Sequence, residues 1–123
     1  MAVTLTTAPA GQANGAVKAP AWARELLGPS PAAVRRQVGG IEVSVLQGKD
    51  RAMVSAVVGG ALRLARKAFE DATTATYEAV RQELETLTAC HPLRLWNFIP
   101  ELLAPLGDLP HRYMAFNAGR YRS

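Results

Sequence analysis

Between Ile41 and Leu87 the hydrophobic pattern changes its period once, and that change limits the chain to a mixed fold. In IEVSVLQG, residues 41–48, Ile41, Val43 and Val45 fall on one side and Glu42 and Ser44 on the other, the two-residue period of a half-buried strand. Gly48 ends it, Lys49-Asp50 supplies a turn, and AMVSAVV follows as a second run rich in β-branched residues. The pair predicts a hairpin closed by Gly59-Gly60. From there the period becomes helical. Phe69, Ala72, Thr76, Val80, Leu84 and Leu87 are spaced by threes and fours and form the stripe of an amphipathic helix over residues 66–88. Asp71, Glu78, Glu83 and Glu85 fall off that stripe, toward solvent.

The flanks add to this frame. Residues 1–20 combine Ala, Gly, Pro and Thr with one charge, the composition of a flexible arm, which leaves residues 21–123 as the domain. Trp22, Leu26 and Leu27 sit at helical spacing before Gly28-Pro29 and predict a short helix docked through Trp22. PLRLWNFIP, residues 92–100, reads as a third strand bounded by two prolines. HRYMAFNAGR then begins a second helix with Tyr113, Phe116 and Asn117 on one face and Gly119 in the C-cap position. The expected order is strand, strand, helix, strand, helix, an α+β sheet with two helices packed on one face. So lean a sheet reads as incomplete without further strands from a partner.

Charge and cysteine content exclude several classes. The chain has a net charge of +4, but most of that excess lies in the first 40 residues, and the body offers only Arg63, Arg66 and Lys67 as a cluster. Phosphate binding needs basic residues gathered on one face, so no nucleic-acid partner is expected. No apolar run reaches the ~18 residues of a membrane span, and the amino terminus carries no secretory pattern, so the expectation is a cytoplasmic protein with no membrane partner. Cys90 is the single cysteine and reads as a small buried hydrophobe. His91 and His111 have no partner at ligand spacing, so neither a metal site nor a cofactor is expected.

The distinctive residues are Arg94, Trp96, Asn97, Phe98, Ile99 and Pro100, followed by Arg112, Tyr113, Phe116, Asn117, Gly119 and Arg120. They spell RxWN(F/Y)IP and then RYxxFNxGR, and in this they resemble the amino-terminal half of the chorismatase family, the chorismate-hydrolysing enzymes of natural-product pathways. APAWARELLG, GIEVSVLQG and AMVSAVV are also similar to that half, so the resemblance runs from about residue 19 to the end. It implies a Rid (YjgF-like), chorismate-mutase-like fold and a pocket for a small carboxylated metabolite. It also implies a glutamate proton donor in the carboxyl-terminal half, which matches no residue of this chain.

Six residues are candidates for ligand binding: Arg120, Tyr113, Arg112, Asn117, Trp96 and Asn97. Arg112 and Arg120 stand eight apart, within about 80° of each other on a helix, and can grip paired carboxylates bidentately. Equally, Arg120 can cap carbonyls at the helix end while Arg112 faces solvent or pairs with Asp108. Trp96 is either an aromatic wall or a packing anchor. Asn97 and Asn117 either meet ligand or tie backbone groups, and Tyr113, on the inward face, can reach a pocket with its hydroxyl. Glu83 and Glu85 read as solvated charges and not as an acid–base pair.

The leading expectation is therefore a chorismatase-like subunit or accessory domain of secondary metabolism, with itself, as a trimer or other homo-oligomer, or a separate chain carrying the missing half as partner. A trimeric enzyme with interfacial pockets and a non-catalytic structural protein stand as alternatives.

Overall fold

The computed structural model describes residues 21–28, 31–38, 40–87, 91 and 94–123. Residues 1–20 and Cys90 lie outside them, and with them the readings of an arm and of a buried cysteine. The elements follow the chain as α1 (Ala21–Leu27), β1 (Ala32–Val38), β2 (Ile41–Gln47), β3 (Ala52–Val57), a 3-10 turn at Ala61–Arg63, α2 (Arg66–Thr86) and α3 (Arg112–Arg120). The class is α+β, as the change of period requires.

The three strands form one antiparallel meander in the order β1-β2-β3. The expected hairpin is β2 and β3, in register with Val45 opposite Val54 and Val43 opposite Ala56. These four residues share one face, and all are buried against Ala79 and Val80 of α2. Burying each valine there contributes about 1.5–3 kcal/mol, which makes this face the principal anchor of the sheet.

β1 is a strand that the hydrophobic pattern did not announce. Its run AAVRRQV is exposed along almost its whole length, so burial leaves no period in it. What holds it is the ladder with β2, closed where Val38 faces Ile41 across Gly40 at φ 81°, a left-handed conformation that glycine adopts without strain. Conversely, the third strand expected over 92–100 is not formed as a strand over its described residues, 94–100. Among the described residues 94–99 belong to no strand of the three-stranded sheet, Asn97 alone taking part in an isolated β-bridge, and the segment spans two side-chain clusters described below.

α2 starts two residues after the 3-10 turn and spans 21 residues. It is buried along a wider arc than its stripe implied, because it meets the sheet on one side and α3 on the other. Thr73 and Thr76 are fully buried on this arc; each hydroxyl donates to a carbonyl four residues back, Phe69 O at 2.9 Å and Ala72 O at 2.6 Å, so neither costs an unpaired group.

Glu83 corrects the reading of a solvated charge: it is buried at 4% exposure, its Oε1 lies 3.5 Å from Arg36 Nε of β1, and its Oε2 has no described partner. The ion pair fastens the edge strand to α2. Glu85 stays exposed, paired with Arg81.

α1 forms as expected, but its buried residues are Ala23 and Leu27, which pack on Leu46 and Met53, while Trp22 is 37% exposed. Leu46 and Met53 face away from α2, so the sheet is covered on its second face by α1. α3 packs on α2. Gly119 is inside α3, not at its cap, and lies against the backbone of Glu70 and the side chain of Thr73; Tyr121 takes the cap position. Thr74 Oγ1 donates to Gly119 O at 2.8 Å and locks the crossing.

Charged groups close one end of the domain. Arg66 reaches Glu70 at 2.9 Å and Asp108 at 2.7 Å; Arg122 reaches Glu70 at 3.3 Å and Asp71 at 3.2 Å; Lys67 also holds Asp71. The hydrogen bond from Arg66 lowers the Asp108 pKa, and that from Lys67 lowers the Asp71 pKa. Because both folded-state values are depressed, their stabilisation is full above the ordinary carboxylate range and disappears as pH falls through the folded values. The melting temperature is therefore expected to decline below about pH 4, and Asp108→Asn to flatten that decline. A variant that keeps the wild-type slope in melts between pH 5 and 2 would remove Asp108 from the account.

Candidate functional site

The site is built where residues 94–99 cross α2 beside the end of α3. Tyr77 on α2 carries the connection. Its hydroxyl donates to Asn97 Oδ1 at 2.9 Å, and its ring lies 6.1 Å from that of Phe116 on α3, tilted by 56°. Burial raises the Tyr77 pKa, and the nearby Arg120 charge opposes that rise. One phenol thus touches the first motif through Asn97 and the second through Phe116, and it stands within electrostatic reach of Arg120.

Arg120 is exposed in the last turn of α3, a favourable place for a cation beside the helix carbonyls. Its guanidinium carbon lies 5.9 Å from the Tyr121 ring centroid, and it forms no ion pair among the described residues. Five fixed N–H donors without a carboxylate partner among the described residues suit an anion, which would accept from them. Tyr113 is 47% exposed and not inward-facing; its ring stacks on Phe116 at 6.5 Å and extends the aromatic row outward. Asn117 is half-buried one turn before Arg120, and its carbonyl accepts from Tyr121 N–H at 2.9 Å.

Two candidates lie elsewhere. Arg112 is buried at 4% exposure and turned into the core, where its Nη1 donates to Ala61 O at 3.1 Å and its guanidinium carbon lies 5.2 Å from the Phe69 ring centroid. It neither faces solvent nor pairs with Asp108, which belongs to Arg66. Arg112 and Arg120 are separated by about 12 Å of helix axis, one turned inward and the other outward, so they do not grip one ligand together. The reason is visible in the spacing: Ala115, Phe116 and Gly119 follow Arg112 at three, four and seven residues, and all are buried. Trp96 is half-buried against Ala23, Leu27, Leu46 and Met53, with Trp22 at 4.8 Å and Arg94 over its ring at 5.6 Å. It is the anchor that holds residues 94–99 against α1 and the sheet.

Tyr77 escaped the sequence reading because it lies off the stripe drawn from Phe69 to Leu87. Thr73 and Tyr77, four residues apart, mark the α3-facing side, Thr73 against Gly119 and Tyr77 beside Phe116. The histidines take no part: His91 is exposed, and His111 Nδ1 donates to Leu103 O at 2.9 Å just ahead of α3. Among the described residues no helix is long and apolar enough to cross a membrane.

The α+β frame with its two signature segments is a chorismatase-type domain. The chain belongs to the family described as chorismatase FkbO/Hyg5-like, N-terminal, whose model matches residues 32–123. That span contains the sheet, α2, both motifs and α3, and leaves α1 outside. Comparison with curated proteins and with solved structures gives no match.

Proposed function

We propose that this chorismatase-like domain holds a small carboxylated metabolite at the Arg120–Tyr77–Asn97 cluster, as one wall of a site that a second unit completes. The observation that carries this reading is Arg120, an exposed guanidinium with no counter-charge among the described residues, within electrostatic reach of Tyr77, through which the two family motifs meet. The surroundings support the second unit. Leu95, Phe98, Tyr113, Met114 and Tyr121 are all at least 36% exposed on residues 94–99 and α3, a concentration of large apolar groups that suits a docking surface. The acids support it as well. Glu70 is engaged by Arg66 and Arg122, and Glu83 by Arg36 beside the sheet, so neither buried carboxyl serves the cluster. An enol-ether substrate would need its proton from elsewhere. A second copy of this chain or a separate chain can supply it.

Trp96 neighbours Asn97 and reports binding by its fluorescence. Titrating the chain with chorismate is expected to give saturable quenching that Arg120→Ala weakens by about 10- to 100-fold, the value of one charge-assisted contact. The chain alone is expected to release no pyruvate. Unchanged affinity in Arg120→Ala would remove the binding reading, and pyruvate release by the isolated chain would remove the need for a second unit.

A further inference from the structure

We propose that the outer edge of β3 is a docking site for the chain's own amino-terminal segment, residues 2–7 (AVTLTT), which lies along it as a further strand of the sheet. The inference is independent of the binding reading above.

The hydrogen-bond pattern shows which way the backbone of β3 faces. Gly48 N–H donates to Arg51 O at 2.8 Å where the β2–β3 hairpin closes, so these two residues are a hydrogen-bonded pair. Bonded and non-bonded pairs alternate along an antiparallel ladder. Met53, Ser55 and Val57 therefore aim their backbone groups at β2, opposite Leu46, Ser44 and Glu42. Ala52, Val54 and Ala56 aim theirs away from it. Yet Val54 is 1% exposed and Ala56 0%. Buried N–H and C=O groups are almost always paired. Among the described residues, no strand lies on that side of β3 and no backbone group bonds to it.

The two edges of the sheet differ in kind. β1 is exposed and carries Arg35 and Arg36, charges that discourage a further strand; β3 carries none. Of the stretches outside the described residues, only 1–20 is longer than three residues, so only it can run along β3. Within it, residues 2–7 have strand chemistry. Val3 and Leu5 alternate with Thr4 and Thr6, with no glycine, proline or charged side chain among them. The position suits as well. The chain enters α1 at Ala21, the Trp22 ring lies 4.8 Å from that of Trp96, and Trp96 packs on Met53 of β3. Residues 8–20, fully extended, span about 40 Å, about twice the length of β3. A strand laid there also shields an uncharged edge from pairing with other molecules.

Amide exchange followed by NMR on the full chain tests this. In the wild type the Val54 and Ala56 amides are expected to be protected like those of Met53 and Ser55. Nuclear Overhauser contacts are expected between Val54 or Ala56 and residues 3–6. Adjacent N–H groups of a strand point to opposite sides, so the double variant Thr4→Pro, Leu5→Pro removes a donor facing β3 in any register. It is expected to speed exchange at Val54 and Ala56 by about tenfold, the worth of one hydrogen bond, and to leave Met53 and Ser55 unchanged. Fast exchange at Val54 and Ala56 in the wild type, or protection that the double variant keeps, overturns the assignment. So does protection that is lost on dilution together with a dimer, which would put a second copy on this edge. If the double variant fails to fold, the wild-type Overhauser contacts decide alone, and their absence overturns the assignment.

Discussion

Gly119→Ala is expected to destabilise the protein by about 2–3 kcal/mol, although alanine is the better helix former by about 1 kcal/mol. The sign is the informative part. Gly119 lies within α3, where the ordinary expectation for this exchange is a gain. A Cβ at this position, however, would meet the Glu70 carbonyl oxygen and would stand 2.7 Å from Thr73 Cβ. The first of these is backbone in the second turn of α2, already hydrogen-bonded within the helix, and the second is fully buried. The helices must part, which breaks the Thr74–Gly119 hydrogen bond and loosens Phe116 from Phe69. Gly119→Val adds two more carbons at the same crossing and is expected to cost more than the alanine. Thermal melting of the two variants checks this: a fall of about 8–12 °C for alanine is expected in a chain of this size. An alanine variant that melts at or above the wild type would show that α3 does not cross α2 at Gly119. Arg120, the next residue, moves with the helix, so carboxylate binding is expected to weaken together with stability.

Phe69→Ala is expected to cost about 3–5 kcal/mol, a large fraction of the total for a domain of this size. Phe69 is 2% exposed and sits at the centre of the cluster formed with Ala61, Leu106, Ala115 and Phe116. It has a second duty. The Arg112 guanidinium lies over its ring, and no carboxylate is within ion-pair distance of Arg112 among the described residues. A buried cation without a counter-ion depends on what faces it, here a carbonyl and an aromatic face. The two effects separate in a double-mutant cycle with Arg112→Met. Removing Phe69 from the Arg112→Met background is expected to cost about 1–2 kcal/mol less than from the wild type. Denaturation of the four proteins measures this, and a coupling near zero would mean that the ring serves Arg112 in no way beyond filling space.

The parts of the fold legible in the sequence are those in which burial imposes a single period. β2 and β3 alternate because one face meets α2, and α2 itself declares its length. β1 was silent because a strand exposed on both faces has no reason to alternate; its sequence records only that Arg36 reaches Glu83. Residues 94–99 misled in the opposite way. Leu95 and Phe98 are as apolar as strand residues, but the segment is held through Trp96 on α1 and Asn97 on Tyr77, and not by a ladder. Glu83 misled because a one-sided stripe cannot describe a helix packed on two sides. At the site, the motif residues were visible as letters, but their grouping was not. Arg112 and Arg120 looked like a pair because they share a helix and a charge. The core-facing spacing from Arg112 to Gly119 is what divides them, and Tyr77 is what joins Arg120 to Asn97.

Gly48 closes the β2 strand, and its Cα faces the end of α1: a Cβ there would collide with the Leu27 carbonyl oxygen and lie 3.0 Å from the Leu27 carbonyl carbon. Gly48 has no left-handed backbone that would demand glycine on its own account, so the demand comes wholly from the helix laid against it. Glycine at the end of this strand lets α1 occupy the ground it holds here; any other residue would force that helix aside. Since α1 falls outside the span matched by the family model, Gly48 ties a residue within that span to a helix beyond it, and a side chain at this one position would lift α1 from Leu46, Met53 and Trp96.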